Sequence, residues 1–278
     1  MQFAAISFLP LLSAILVLSL GAINFFVGKK SRINAVFTLI TLAVGIWLFG
    51  TFMMFSSQNE WEAIFWDRFI YMGVVFVPAL MYHFSVIFCE QKKQGIFVFL
   101  GYLFSLFFLW ASRTDLFVSG VFHYRWGIHT QARFLHNVFL GEFIFFLILT
   151  LNNFYLHYRN PQLTALDRTR AKYVFLAFFI LITVGSTGFL PAYNISIWPF
   201  SYLSSVVFVL ILAYAIMRFR LLDIGFFMTR GLIYIMVAAL LYGVTIIFYA
   251  LFHSRVFGNM EIALWWVFAI LSIYLFPK

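Results

Sequence analysis

Long apolar runs, each bounded by a short cluster of charged or turn-forming residues, divide the chain into nine stretches. They cover Phe3–Val27, Ile33–Phe55, Phe69–Cys89, Ile96–Ala111, Asn137–Tyr158, Tyr173–Leu190, Pro199–Met217, Leu232–Phe252 and Ile262–Leu275. A helix needs roughly 20 apolar residues to cross the hydrocarbon core of a bilayer. Away from water, only a helix or a closed barrel satisfies every backbone N–H and C=O. The pattern therefore predicts an all-α polytopic bundle of nine spans, in which the fourth and ninth are short. The segment Met1 to Val27 lacks a basic start, and its apolar run is too long for a signal peptide, so it reads as the first span.

Composition makes the membrane reading firm. The 278 residues are 64% apolar and 10% charged, against roughly 45–50% and about 25% in soluble domains. Too little polar surface exists to cover a soluble fold of this size. The 40 Phe and 8 Trp suit hydrocarbon and interface. The net charge of +9 would suggest nucleic acid in a soluble protein. Here the basic residues fall in short loops, where they set topology, and no nucleic-acid partner is expected. The single cysteine, Cys89, can form neither an internal disulfide nor a thiolate cluster.

The loops predict an orientation. With the loop after the first span in the cytoplasm, that side receives Lys29, Lys30, Arg32, Lys92, Lys93, Arg159, Arg168, Arg170, Lys172, Arg218, Arg220, Arg230 and Lys278. The outer side receives Arg68, Arg113, Arg125, Arg133 and Arg255, a division of 13 against 5. The positive-inside rule then places the N-terminus outside and the C-terminus in the cytoplasm. Two loops exceed simple turns. The outer segment 112–136 mixes glycine, aromatic and histidine residues and reads as a small cap. The cytoplasmic segment 159–172 contains Thr164-Ala-Leu-Asp167, a capping box leading into the sixth span.

Candidate chemistry is sparse. Glu142 is the one acid that these runs place inside a span, and an intramembrane carboxylate is a functional hypothesis by default. His83 and His157 lie at similar depth on two helices, but a hydrogen bond to a neighbouring helix explains His83 better than haem ligation does. His123, His129 and His136, at spacings of six and seven, suit solvated loop positions better than a zinc site. Of the adjacent pair Asn152 and Asn153, one can bond across to another helix while the other faces elsewhere. Pro78 is expected to bend the third span. No lysine lies within a span, and no Walker-type loop, His-Glu-x-x-His or Gly-x-Ser-x-Gly motif occurs. No catalytic residue, metal site or cofactor is expected.

One stretch is more specific. The segment Tyr214-Ala-Ile-Met-Arg-Phe-Arg-Leu-Leu-Asp-Ile224 resembles the end of the N-terminal seven-helix (7TM) sensor region of bacterial histidine kinases, and Thr229-Arg230-Gly-Leu-Ile-Tyr234 resembles the motif that opens an extra helical pair in many of them. Trp47, Trp66-Asp67-Arg68, Pro78, Tyr82-His83-Phe84, Arg168-Thr-Arg170, Pro191 and Pro199 are similar to family features. The resemblance implies a seven-helix sensor region over 1–224 and an additional transmembrane pair over 225–278. It implies the sensory input module of a two-component system in the bacterial inner membrane. Its partner would be a cytoplasmic kinase core, in cis beyond Lys278 or in trans, and its expected state a homodimer. The chain carries no phospho-accepting or ATP-binding domain, so it is not expected to be an enzyme. Glu142, Trp126 and Arg125 are the expected signal contacts, and Arg218, Arg220, Asp223 and Arg230 the expected transmission segment. The alternative is a stand-alone transporter or permease component, which would need a continuous polar path between the spans.

Overall fold

The structure, a computed structural model, describes residues 9–124, 126–197 and 200–221. The expected helical pair over 225–278 lies outside the described residues, as do Arg125, Asp223 and Arg230. Eight α-helices occur among the described residues: α1 (Leu9–Val27), α2 (Arg32–Phe55), α3 (Glu60–Val74), α4 (Val77–Phe88), α5 (Gly95–Ala111), α6 (Phe134–Arg159), α7 (Ala165–Gly185) and α8 (Ser201–Phe219). A 3-10 segment, Ser186–Tyr193, extends α7. Six passes are long and apolar enough to cross a membrane, counting α3 with α4 and α7 with its extension; the apolar part of α8, Ser201–Ile216, is shorter.

Local signals explain the helix starts. The Ser31 side chain accepts from Asn34 N at the head of α2, and Asn59 does the same for Glu62 N at the head of α3. Thr164 Oγ1 accepts from Asp167 N at 3.1 Å, so Thr164 caps α7 as expected; the Asp167 carboxylate returns to the Thr164 hydroxyl at 2.7 Å, where a full capping box would have it accept from the Thr164 backbone N–H. Each of these side chains occupies a backbone donor that the first turn would otherwise leave orphaned.

The third pass differs from its expected bounds. It begins nine residues early, at Glu60 rather than Phe69, and it is two helices. The break falls at Val75 and Phe76, so Pro78 stands in the first turn of α4, where its missing N–H costs no hydrogen bond. The acids Glu60 and Glu62 disguised the first turns as a loop; they sit at the helix N-terminus, where negative charge is favoured.

Helices pack closely where side chains are small. A Cβ on Gly73 would stand 2.4 Å from the Ala43 carbonyl oxygen, so α3 lies almost on the backbone of α2. The core between α2, α4, α6, α7 and α8 is aromatic, with Phe84 stacked on Phe178 at 5.2 Å between ring centres. Away from this core the surface stays apolar. On α5 only Gly101, Ser105, Phe108 and Ala111 are buried, while Phe99, Leu103, Leu106 and Trp110 are exposed. A helix buried on one stripe and apolar all round has lipid for solvent.

The helix ends form two groups. At one end a β-hairpin, β1 (Val118–Tyr124) and β2 (Gly127–Ala132), pairs Val121 with Thr130 and His123 with Ile128. It is the expected cap, built as a sheet. Tyr124 Oη donates to the Pro191 carbonyl at 2.7 Å, which pins the hairpin to the 3-10 segment, and Arg68 pairs with Asp115 at 2.6 Å. At the other end, Lys29, Glu90, His157, Asp167, Arg170 and Arg220 surround one open cleft.

Candidate functional site

Beneath the hairpin lies a buried polar cluster. Its first member is Asp67, at the middle of α3. Ala63, Asp67, Ile70, Tyr71 and Val74 recur at helical spacing and are all buried, so α3 turns this face inward. Asp67 is 2% exposed, and its Oδ2 has no hydrogen-bond partner among the described residues. Glu142 is therefore not the only acid inside a span, as the apolar runs suggested; Asp67 is a second and is more deeply enclosed. The signal that could have found it is this periodicity, which continues through the Trp66-Asp67-Arg68 stretch read as a loop.

Histidines form the second part. His136, in the first turn of α6, is fully buried between two phenols: Tyr71 Oη stands 2.7 Å from Nε2 and Tyr193 Oη 2.7 Å from Nδ1. A neutral imidazole has one N–H and one bare nitrogen. One tyrosine therefore donates to the ring and the other accepts from it, which joins α3, α6 and the 3-10 segment. His129, on β2, is 8% exposed. Its Nδ1 lies 3.0 Å from the Thr130 carbonyl, which can only accept, so Nδ1 carries the proton and Nε2 is a bare acceptor. Burial depresses the His129 imidazole to about 4, which keeps the ring neutral. These two histidines are thus core residues and not the solvated loop positions expected; only His123 is exposed, 3.6 Å from Glu60. Among the described residues no group of three His, Cys, Asp or Glu side chains could hold a metal.

A partly open cavity collects these groups. Asp67, His129 and Tyr71 line it on the hairpin side, and Trp47, Phe189 and Tyr202 give it aromatic walls. A second space adjoins it toward the bundle interior and shares Trp47, Val74, Gly185 and Phe189.

The other expected contacts fall elsewhere. Trp126 is 6% exposed; it stacks on Tyr124 with ring centres 4.7 Å apart and meets Phe55 edge-on at 5.1 Å, so it anchors the hairpin on α2. Its indole N–H has no partner among the described residues. Glu142 lines neither space. It follows the exposed Gly141 on α6, and both carboxyl oxygens are buried without a partner among the described residues. His83 Nδ1 lies 2.9 Å from Tyr102 Oη on the neighbouring helix, the role expected for it. Asn153 donates to Ser85 Oγ at 3.0 Å and to Gln94 Oε1 at 2.9 Å, while Asn152 is exposed. This too agrees with the sequence pattern, one amide bridging helices and its neighbour turned away.

At the opposite end, α8 stops at Arg220, which holds the left-handed conformation at φ 53°. Arg170 Nε donates to the Phe219 carbonyl at 2.9 Å and Arg170 Nη1 contacts Asp167 Oδ1 at 3.0 Å. The start of α7 is thereby tied to the end of α8, beside Arg218 and Arg220.

These features define an integral membrane protein of the polytopic helical class, capped at one end and with a buried polar cavity under the cap. The chain belongs to the family described as the N-terminal 7TM region of histidine kinase, which its residues 9–225 match. No match came from the curated proteins or from the solved structures.

Proposed function

We propose that the chain is the sensory input module of a two-component system and that the cavity under the hairpin receives its signal. The observation that carries this is Asp67, a buried carboxyl at a cavity wall whose Oδ2 makes no close hydrogen bond among the described residues, with the Thr130 hydroxyl as its polar neighbour. Burying such a group unpaired is costly, and an acid inside a membrane span is a functional candidate by default. Residues from α2, α3, β2, the 3-10 segment and α8 all reach this cavity. A ligand that fits one arrangement of these elements better than another shifts the balance between them by that difference in affinity. The α7–α8 tie at Arg170 and Phe219 would carry the shift to Arg218, Arg220, Asp223 and Arg230.

In this reading the hairpin faces the outside of the bacterial inner membrane and the cleft around Arg170 faces the cytoplasm. Residues 1–224 form the sensor and 225–278 a further transmembrane pair. A kinase core follows in cis or docks in trans, and the module works as a homodimer. Trp126 holds the cap on α2, Arg125 is a proposed signal contact, and Glu142, on α6, is a second carboxyl without a partner among the described residues. The test joins residues 1–278 to a histidine kinase core and follows autophosphorylation in cell membranes. Asp67→Asn should change the signal-dependent rate at least fivefold without loss of membrane-inserted protein, and Glu142→Gln should change it less. Rates unmoved by Asp67→Asn would remove the cavity from the account, and solute flux in proteoliposomes would favour the permease reading.

A further inference from the structure

The two adjoining spaces differ in chemistry, and the difference selects a ligand. Toward the hairpin, several acceptors converge, beside the Tyr202 hydroxyl and the Trp47 indole N–H. Asp67 Oδ2 makes no close hydrogen bond among the described residues, with the Thr130 hydroxyl and the Arg68 charge as its polar neighbours, and His129 has its only ring proton engaged by the Thr130 carbonyl. The Thr51 hydroxyl donates to the Trp47 carbonyl at 2.8 Å, so it too offers lone pairs only. Acceptors that converge on one space call for a donor head. The rings of Trp47, Tyr71, Phe189 and Tyr202 line the same space, and a cation over any ring face would be favoured. A protonated amine supplies three N–H donors and the charge that matches a carboxylate in one small group. A hydroxyl supplies one donor and no charge, and a carboxylate would meet repulsion.

Toward the bundle interior, the adjoining space is lined by Val44, Met81, Phe143, Leu147, Leu181 and Ile182. Ser186 brings a hydroxyl to this wall, which donates to the Ile182 carbonyl; apart from it and Trp47 the lining is apolar, and an alkyl chain would be buried well. The two spaces meet beside Gly185, where the absence of a side chain keeps room next to Trp47: a Cβ there would lie 3.8 Å from the indole and 3.3 Å from Ser204 Oγ.

We propose that the two spaces form one site for a primary-amine amphiphile, its ammonium on Asp67 and its chain along the Val44–Leu147–Ile182 wall. This deepens the sensor reading of the same cavity and rests on it. The amine could arrive as a free alkylamine or as the ethanolamine head of a membrane lipid. The full chain, in nanodiscs of phosphatidylglycerol, is titrated with octylamine, butylamine, octanol and octanoate. Intrinsic tryptophan fluorescence is the readout, and empty discs are subtracted. Octylamine should bind saturably and at least tenfold more tightly than octanol or octanoate. Asp67→Asn should weaken octylamine at least tenfold, and Asp67→Glu should retain it. Leu147→Phe should weaken octylamine and spare butylamine. If Asp67→Asn does not fold, the ranking of the three octyl compounds on the native chain decides. Discs with phosphatidylethanolamine in which added octylamine must compete would make the lipid the source; unchanged binding would make it the free amine.

Equal affinity for octylamine and octanol, or octylamine binding indifferent to Asp67, overturns the amine assignment. Octylamine and butylamine equally affected by Leu147→Phe overturns the tail site. If either happens while Asp67→Asn still alters kinase output, the ligand class fails and the sensor reading stands. If kinase output is also indifferent to Asp67, both fail.

Discussion

Asp67 and Glu142 are both acids on apolar helices, yet they meet different surroundings. Asp67 faces aromatic walls and the neutral ring of His129; Glu142 follows a glycine whose added Cβ would touch nothing within 4 Å. His129 makes this environment measurable. Its imidazole titrates at about 4 in the folded chain against 6.5 when free. Above pH 6.5 both states are neutral and the shift has no effect. As the pH falls from 6.5 toward 4 the unfolded ring takes up a proton that the folded one refuses. Stability should therefore drop by up to about 3 kcal/mol over that window. A thermal melt of the full chain in nanodiscs between pH 7 and 4 should show the fall, and His129→Gln should make it shallower by this ring's share. Asp67, His136 and Thr130 face the same region, so the His129→Gln difference is the quantity that isolates this ring.

At the level of elements, close approach and not polar bonding sets the packing of α2 on α3. Gly73→Ala would press a methyl against the Ala43 carbonyl at 2.4 Å and against Ile46 at 3.0 Å. It should destabilise by about 1–3 kcal/mol even though alanine is the better helix former. Gly141→Ala, with open space around it, should be neutral or slightly stabilising. Unfolding in a detergent titration reads both; a neutral Gly73→Ala would mean that α2 and α3 separate readily. Most passes were legible in the sequence, because the length of an apolar run and the offset between cap residues are one-dimensional properties. The start of α3 was not. Its acids were read as a loop, though Ala63, Asp67, Ile70 and Val74 kept the helical period throughout.

For the whole molecule, the basic residues of the segments 29–32, 90–95 and 159–172 lie at the end opposite the hairpin. On the orientation proposed from the positive-inside rule, the hairpin would face outside. Alkaline phosphatase fused after Arg125 should be active and a fusion after Lys278 inactive; the reverse pattern would invert the bundle and place the Asp67 cavity on the cytoplasmic side. The same arrangement separates the roles along each pass. One end gathers acceptors and aromatic faces, the middle holds an aromatic core, and the far end ties α7 to α8 through Arg170.

The amino-acid sequence by itself determined that the chain is a membrane bundle, where most of its passes run, that Thr164 caps the helix after it and that two adjacent asparagines take different roles. Each of these follows from local composition or from fixed offsets along a helix. Only the tertiary structure decided which polar residues face inward together. Asp67 from α3, His129 from β2, Trp47 from α2 and Tyr202 from α8 are far apart in sequence, and no spacing rule links them. Whether an acid on an apolar helix meets lipid or a cavity depends on the neighbouring helices and on how closely they pack. For α3 that closeness comes from Gly73 lying against the backbone of α2, a relation no single segment contains.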